Sequence, residues 1–237
     1  SCPEMQPADI IKKTGVESRP WLAEGEDGVG LAEKAALQAL QLAGIGVQDI
    51  DLIVCSTGSP KYHTPSMATL VQGRLAASAG ISDDCFAAAV DINAACSGYL
   101  YGLQYADDYL ARRPAQRVLL LTIEVLSPQV DPADPSTAPI FGDAATATVL
   151  GGQAYQDDWQ YSVDAVSMAA QGEDGTILRV PADPNEKIFM DGPQVFIKAV
   201  SMMIRMLREA CEAAGVAPED LDLIVPHQAN QRIINAV

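Results

Sequence analysis

The hydrophobic positions of this chain recur with two different periods, which predicts helices and strands in alternation along most of its length. Apolar residues recur at helical spacing from Val29 to Leu42, from Ser66 to Ala79 and from Gly98 to Leu110. Short apolar runs between these segments predict buried strands. The predicted strands span Ile50 to Ser56, Phe86 to Ile92, Arg117 to Ile123 and Ala144 to Leu150. Strands that alternate with helices favour an α/β fold with mainly parallel sheets covered on both faces.

The pattern changes after the fourth predicted strand. The stretch from Gly151 to Asn185 is polar and rich in turn residues, which makes it the best boundary between two parts of the chain. The predicted elements beyond it are a long helix from Val195 to Ala214, a strand from Leu221 to Val225 and the start of a helix from Ala229 to Val237. We therefore expect two domains, at residues 1–155 and 156–237.

An internal repeat relates these two parts. Gly44 to Val54 aligns with Gly215 to Val225 without a gap, and six of the eleven positions are identical. Each copy follows a helical pattern and leads into an apolar run, so the simplest interpretation is a duplicated helix-strand unit. Coincidence is the alternative, because helix-to-strand connections reuse the same turn residues. Since few residues follow the second copy, we expect the second half to be incomplete.

Composition narrows the class of protein. The 237 residues are 49% hydrophobic, which allows a sizeable core, and carry a net charge of −16. That charge argues against nucleic acid or an anionic membrane as a partner. No apolar run approaches the roughly 20 residues that span a bilayer. The five cysteines form neither a disulfide framework nor a metal-binding spacing, which favours a reducing cytoplasm.

Cys96 lies at a strand-to-helix corner, between the strand predicted to end at Ile92 and the helical pattern that begins at Gly98. A thiol at the first turn of a helix faces unpaired N–H groups, and the helix dipole favours the thiolate. We therefore expect a nucleophile with a pKa below the free value of about 8.5. A buried structural cysteine is the commoner fate of a free thiol and is the alternative.

A second corner carries His227, shortly after the strand predicted to end at Val225. Because ligands in α/β sheets bind at the carboxyl ends of strands, Cys96 and His227 could face one pocket. A histidine at such a corner is otherwise a capping or surface residue. The other histidine of the chain, His63, falls in a predicted loop.

Three segments resemble the active-site segments of the β-ketoacyl-ACP synthase III family, within the thiolase-like superfamily. They are Asp91 to Gly98, Ile140 to Asp143 and Val225 to Asn230. The resemblance extends from about Ile10 to the end of the chain. It implies a thiolase-like α/β fold with two duplicated α-β-α-β-α layered halves, the second incomplete here, and a homodimer.

The resemblance also implies a decarboxylative Claisen condensation. The Cys96 thiolate would attack an acyl thioester while backbone N–H groups hold the oxyanion. His227 would donate a hydrogen bond to a malonyl thioester as carbon dioxide leaves, and the carbanion would take the acyl group to give a β-ketoacyl product. The implied partners are coenzyme A thioesters and an acyl carrier protein, with no metal and no cofactor. The implied pathway is fatty-acid initiation or a specialised polyketide or quinolone-type synthesis.

The chain departs from the family pattern where coenzyme A binds. Asp9 and Lys13 replace the Trp and Arg that hold the adenine in many relatives, and Pro135 replaces a further Arg. Of that basic set Arg232 remains, so we expect it to bind substrate. The donor could therefore be carried by coenzyme A or by an acyl carrier protein.

Three other positions define the expected site. Asn230 is expected to support the loop around His227 and its hydrogen bonds at the substrate. Thr64 stands where relatives often insert a Phe into the partner subunit's acyl pocket, so we expect room for a larger or branched acyl group. The catalytic Asn of the family would follow beyond residue 237, because Asn235 is too close to His227.

Two other functions remain open. One is acyl transfer to an oxygen or nitrogen nucleophile without condensation, or the role of a non-condensing partner subunit. The other is a papain-like cysteine hydrolase, because Cys96 precedes His227 by a suitable spacing. The hydrolase is disfavoured because the local Cys-Gly-Ser-Cys-Trp type signature of that family is missing.

Overall fold

The computed structural model describes residues 6–81, 87–158 and 160–237. Contacts divide the chain into two compact units. The first takes the chain up to Trp21, Leu126–Gly142 and Asp164–Val237, and the second takes Leu22–Val125 and Asp143–Val163. These units follow contact density rather than chain order, so the expected domain boundary after residue 155 stays a prediction.

A four-stranded sheet forms the centre of the second unit. Its strands are β1 (Leu52–Ser56), β2 (Ala88–Ile92), β3 (Arg117–Val125) and β4 (Asp143–Gly151), in the order β2-β1-β3-β4. β1 is parallel to β2 and β3, whereas β4 is antiparallel to β3. The four predicted strands and the mainly parallel pairing are thus confirmed. Phe86, the predicted start of the second strand, lies outside the described residues.

Three helices cover this sheet, and the alternation of side chains along the strands separates two cores. The helices are α2 (Gly28–Ala43), α3 (Met67–Ser78) and α4 (Gly98–Ala111), as predicted. Ile53 and Leu119 face α2 and α3, while their neighbours Val54 and Leu120 face Ala106 of α4. Full burial of each such side chain contributes about 1.5–3 kcal/mol. The sheet is therefore a rigid base for the loops at its carboxyl edge.

The first unit is mainly helical. It contains α1 (Pro7–Thr14), α5 (Gly192–Ala214), α6 (Gln231–Ile234) and a short antiparallel pair, β5 (Leu178–Arg179) with β6 (Phe189–Met190). α5 confirms the predicted long helix and is capped by Asp191, whose carboxylate accepts a hydrogen bond from Gln194 N at 3.2 Å. α1 contacts α6, and Gly15 at the end of α1 leaves no room for a side chain beside Gln231. None of the helices in the described part of the chain combines the length and apolar character needed to cross a bilayer.

The two copies of the internal repeat share their local geometry. Gly44 and Gly215 end their helices with φ of 68° and 69°, in the left-handed region that favours glycine. A single 3-10 turn follows at the same spacing in each copy, at Val47–Asp49 and at Pro218–Asp220. The helix-loop part of the duplicated unit is therefore present twice.

The strand predicted in the second copy is wrong. Residues 221–225 form no strand, and Leu223 and Val225 are 77% and 69% exposed. A strand needs a neighbour for its backbone hydrogen bonds. β1 has such neighbours on both sides, whereas within the described residues of the first unit only β5 and β6 pair. The helix predicted from Ala229 is confirmed only as the single turn of α6.

Candidate active site

Cys96 is presented by a tight turn between β2 and α4. The Asn93 side chain accepts a hydrogen bond from Ala95 N at 3.2 Å, and Ala95–Ser97 form one 3-10 turn. Ala95 has a φ of 46°, in the left-handed region, which costs about 1–3 kcal/mol for a residue other than glycine. The Cys96 side chain is exposed. A strained turn that displays a thiol is typical of a nucleophile rather than of a packing residue.

Close contact with β1 fixes the position of this turn. Gly98 begins α4, and a Cβ at this position would overlap Ser56 Oγ at the end of β1. Only glycine allows α4 to begin so close to the strand. Asp91, in β2 just before this turn, ties the strand to α3. Its carboxylate accepts hydrogen bonds from Met67 N at 2.7 Å and Ala68 N at 2.8 Å in the first turn of that helix. The Cys96 turn is thus held by the sheet and by both neighbouring helices.

The expected depression of the Cys96 pKa is wrong. Desolvation is the largest effect and raises the pKa of the thiol, the charge of Glu124 raises it further, and a hydrogen bond from its own backbone N–H only partly offsets both. The thiol can be reached by solvent, but the surrounding protein leaves it poorly hydrated. The thiol is therefore expected to carry its proton near neutral pH.

Glu124 is the next-to-last residue of β3 and is not among the site residues predicted from the sequence. Its Oε1 accepts a hydrogen bond from Gly58 N at 2.7 Å, and its Oε2 accepts one from Ser59 Oγ at 2.7 Å. Burial raises the pKa of this carboxyl group, and the Ser59 and Gly58 hydrogen bonds oppose that rise. The sequence places Glu124 directly after a predicted strand, at the sheet edge that also carries Cys96, and this position could have marked it as a site residue. A carboxylate after a strand is more often a turn residue, however.

Glu124→Gln is expected to gain stability relative to the wild type as the pH rises. The folded-state pKa of Glu124 lies above its usual value of 4.5. The folded state therefore binds this proton more tightly than the unfolded state, and its stability falls as the pH rises between the two pKa values. Glutamine has no proton to lose. Melting curves from pH 4 to pH 8 test this, and a difference in Tm that does not move with pH would contradict it.

The remaining predicted site residues belong to both units. Thr64 is exposed in the loop between β1 and α3, in the second unit with Cys96. The His227 side chain, in the first unit, can be reached by solvent, but desolvation by the surrounding protein lowers its pKa, which favours a neutral ring near pH 7. Asn230 caps α6, where its Oδ1 accepts a hydrogen bond from Arg232 N at 2.9 Å. Arg232 is exposed.

The residues at the expected coenzyme A site are also in the first unit. Asp9 and Lys13 are exposed on α1, and α1 contacts α6, which carries Arg232. A helix with basic side chains thus lies beside Arg232. In the described parts of the chain, no group of three or more His, Cys, Asp or Glu side chains is arranged to hold a metal ion.

Comparison with known proteins gives a match to one family. A family model for 3-oxoacyl-[acyl-carrier-protein (ACP)] synthase III matches residues 90–172, which include the Cys96 turn. The β-ketoacyl-[acyl-carrier-protein] synthase III of Rhodospirillum centenum is 35% identical over 232 residues, covering 96% of this chain and 70% of the relative.

Two solved structures extend the comparison. The crystal structure of 3-oxoacyl-[acyl-carrier-protein] synthase III from Aquifex aeolicus superposes with a TM-score of 0.86 at 36% identity, over 98% of this chain and 71% of that one. The priming β-ketosynthase from the R1128 polyketide pathway superposes with a TM-score of 0.83 at 30% identity, over 98% and 69%. The chain thus spans about 70% of the length of these relatives.

The relatives that match this α/β chain identify it as an acyltransferase with the thiolase-like fold. Relatives above 30% identity match almost the whole chain. The chain belongs to the β-ketoacyl-ACP synthase III family. The fold class and the enzyme class expected from the sequence are confirmed.

Proposed function

We propose that the protein joins an acyl group, bound as a thioester on Cys96, to a malonyl thioester by decarboxylative Claisen condensation. The pathway is the initiation of fatty-acid synthesis or of a specialised polyketide or quinolone-type product. The observation that carries the proposal is the strained turn that displays Cys96 inside the segment that the family model matches. The names of the relatives, a fatty-acid type synthase and a polyketide priming enzyme, support both pathways.

The first step is acyl transfer. The sulfur of Cys96 attacks the carbonyl carbon of an acyl thioester, and the oxyanion that forms accepts hydrogen bonds from backbone N–H groups. The carrier thiol leaves with a proton, and an acyl-enzyme remains. Because the pKa of the Cys96 thiol is raised, a neutral base must take its proton during the attack. The neutral ring of His227 is the candidate for that base.

The second step makes the carbon-carbon bond. His227 donates a hydrogen bond to the carbonyl oxygen of a malonyl thioester while the carbon-carboxylate bond breaks and carbon dioxide leaves. The electron pair of that bond forms an enolate, whose carbon attacks the acyl-enzyme and releases the Cys96 sulfur. A desolvated ring is suited to this step, because it stays neutral and keeps one N–H to donate.

The acyl donor and the partner subunit belong to the same proposal. Arg232 binds the phosphate of the acyl carrier, which is either coenzyme A or an acyl carrier protein. Within the described residues β2 pairs only with β1, so its other edge has unpaired backbone groups. A second copy of the chain can pair with that edge about a twofold axis, which supports a homodimer.

Intact-mass measurements test the proposed function. The protein is incubated with a panel of acyl-CoA and acyl-carrier thioesters, and malonyl thioester is then added. Condensation gives an acyl adduct, followed by release of carbon dioxide and a β-ketoacyl product. An adduct that passes to an alcohol or amine, without release of carbon dioxide, would replace this proposal with the non-condensing transferase.

Thr64→Phe is expected to narrow the range of acyl groups. If Thr64 borders the end of the acyl pocket, the larger side chain removes space for long or branched acyl groups but leaves acetyl transfer intact. The ratio of kcat/KM for a branched donor to that for acetyl should fall about tenfold to a hundredfold, because an overfilled pocket costs about 1–3 kcal/mol. Thr64→Ser, which stays small, is the control. An unchanged ratio in Thr64→Phe would place Thr64 outside the pocket.

A further inference from the structure

The register of the sheet places Glu124 beside the loop that follows β1. Ser56, the last residue of β1, pairs with Thr122 in β3 and with Ile92 in β2. Glu124 therefore lies two residues beyond the last pair in β3, level with Gly58. Cys96 lies four residues beyond the last pair in β2. The carboxylate and the thiol thus lie on either side of the same loop, at the same edge of the sheet.

Two hydrogen bonds tie this loop to the end of β3. Gly58 N and Ser59 Oγ donate to the two oxygens of Glu124, each at 2.7 Å. Ser59 Oγ in turn accepts a hydrogen bond from Val125 N at 2.8 Å. Because the two groups that meet the side chain are both donors, they require a residue with two acceptor oxygens. A carboxylate satisfies both, whereas an amide would turn a donor toward one of them.

The same loop lies close to the turn that carries Cys96. A Cβ at Gly58 would lie 3.6 Å from Glu124 Oε1 and 3.7 Å from Asn93 Oδ1. That Asn93 oxygen accepts the hydrogen bond from Ala95 N that closes the Cys96 turn. Gly58, which donates to Glu124, thus lies next to the Asn93 side chain that accepts the hydrogen bond from the residue before Cys96.

The position of Glu124 is not explained by stability. The carboxylate is desolvated, and no Lys or Arg of the described residues forms a salt bridge with it. A buried charge without a cationic partner costs free energy unless its hydrogen bonds compensate. Its charge also opposes the Cys96 thiolate. Glu124 therefore lowers both the stability of the fold and the ease of ionising Cys96. A carboxylate with these two costs is expected where its hydrogen bonds are needed to hold the site.

We propose that Glu124 is a positioning residue for acylation, which fixes the loop carrying Thr64 and, through Gly58 and Asn93, the turn that presents Cys96. This inference rests on the proposed function in taking Cys96 as the acylated residue. It adds that one carboxylate aligns the acyl-binding loop and the nucleophile together. A shift of the loop or of the Cys96 turn by about 1 Å is enough to slow acylation about a hundredfold, because the rate depends on how the reacting atoms are placed.

Two substitutions separate the charge of Glu124 from its hydrogen bonds. Ser59→Ala keeps the charge but removes the donor to Oε2 and the acceptor for Val125 N. Glu124→Gln removes the charge and keeps one acceptor oxygen. Asp108→Asn is the matched control, because it removes a carboxylate from the exposed far end of α4. Each purified protein is treated with iodoacetamide over a range of alkaline pH, and labelling of Cys96 is followed by mass. Acylation by the preferred donor is measured in parallel.

We expect Glu124→Gln to move the midpoint of Cys96 alkylation to lower pH, with labelling about threefold to tenfold faster below the midpoint. Ser59→Ala should leave the midpoint unchanged and slow acylation about tenfold or more, with altered preference between short and long acyl groups. Asp108→Asn should match the wild type in both. A purely structural role would lower Tm in Ser59→Ala without changing the rate of acylation or the acyl preference.

The inference is overturned by a Ser59→Ala protein that acylates at the wild-type rate with the same acyl preference. If Ser59→Ala does not fold, Glu124→Asp replaces it, because aspartate keeps the charge and moves the acceptor oxygens away from the loop. A wild-type protein that is alkylated but takes no acyl group would instead remove the ketosynthase proposal, and the alkylation midpoints would still decide whether Glu124 acts on Cys96.

Discussion

Cys96→Ala is expected to abolish the acyl adduct and to lower condensation by about 10⁴-fold to 10⁶-fold, the loss that removal of a covalent nucleophile causes. No other group at the turn can form the acyl thioester, because the neighbours of Cys96 are Ala95 and Ser97, and a serine hydroxyl is a far weaker nucleophile at neutral pH than a thiol. Intact mass after incubation with each acyl donor measures the adduct directly. Product formation with malonyl thioester measures turnover.

Cys211→Ala provides the control for this experiment. Cys211 is buried on α5, so it is closed to an acyl donor, and its replacement should leave the adduct in place. Cys55 is a less suitable control because it lies in the core between the sheet and its helices. An adduct that survives in Cys96→Ala and disappears in another cysteine variant would assign the nucleophile elsewhere.

His227→Ala is expected to lower condensation by about 10²-fold to 10⁴-fold, the usual contribution of a proton-transfer or hydrogen-bonding group at the reacting atoms. The acyl-enzyme should still form, although more slowly, because loss of the base does not remove the Cys96 thiol. Once malonyl thioester is added, the variant should therefore accumulate acyl-enzyme that the wild type consumes. Rapid mixing followed by intact mass separates the two steps.

His63→Ala is the matched control, since the chain has two histidines and His63 is exposed in the loop that also carries Thr64. The pH profile offers an independent check. Burial lowers the pKa of His227, so condensation should persist to a lower pH than the ordinary imidazole value of about 6.5 allows. Loss of the acid limb in His227→Ala, but not in His63→Ala, is expected. Equal turnover in His227→Ala and the wild type would remove His227 from the mechanism.

The sequence predicted those features that depend on local pattern. The four strands of the second unit could be predicted because their residues are apolar and buried. All the strands with which they pair belong to the same unit. The corner position of Cys96 follows from where β2 ends and α4 begins, both of which the periodicity marks. The strand expected at Leu221–Val225 has the same pattern, but a strand also needs a partner, and no pattern within one segment reports on its partner.

The electrostatics of the site depend on distant pairs of residues. The helix dipole argument predicted a lowered pKa for Cys96, because it considered only the helix that follows. Glu124 is 28 positions further along the chain and reaches the site through the register of β1 and β3. Its two hydrogen bonds join residues separated by 65 and 66 positions. Such contacts are a property of the assembled sheet, so a single sequence read in order gives no sign of them.

The Glu124 carboxylate, which forms no salt bridge with a described Lys or Arg, also has a consequence for protein engineering. A screen that rewards a high melting temperature at neutral pH alone would enrich neutral residues at position 124, because they escape the cost of a buried charge. If the hydrogen bonds of Glu124 align the Cys96 turn as proposed, the same screen would also select against that alignment and would return stable proteins with poor turnover. Selection for this enzyme therefore has to score catalysis and heat resistance together.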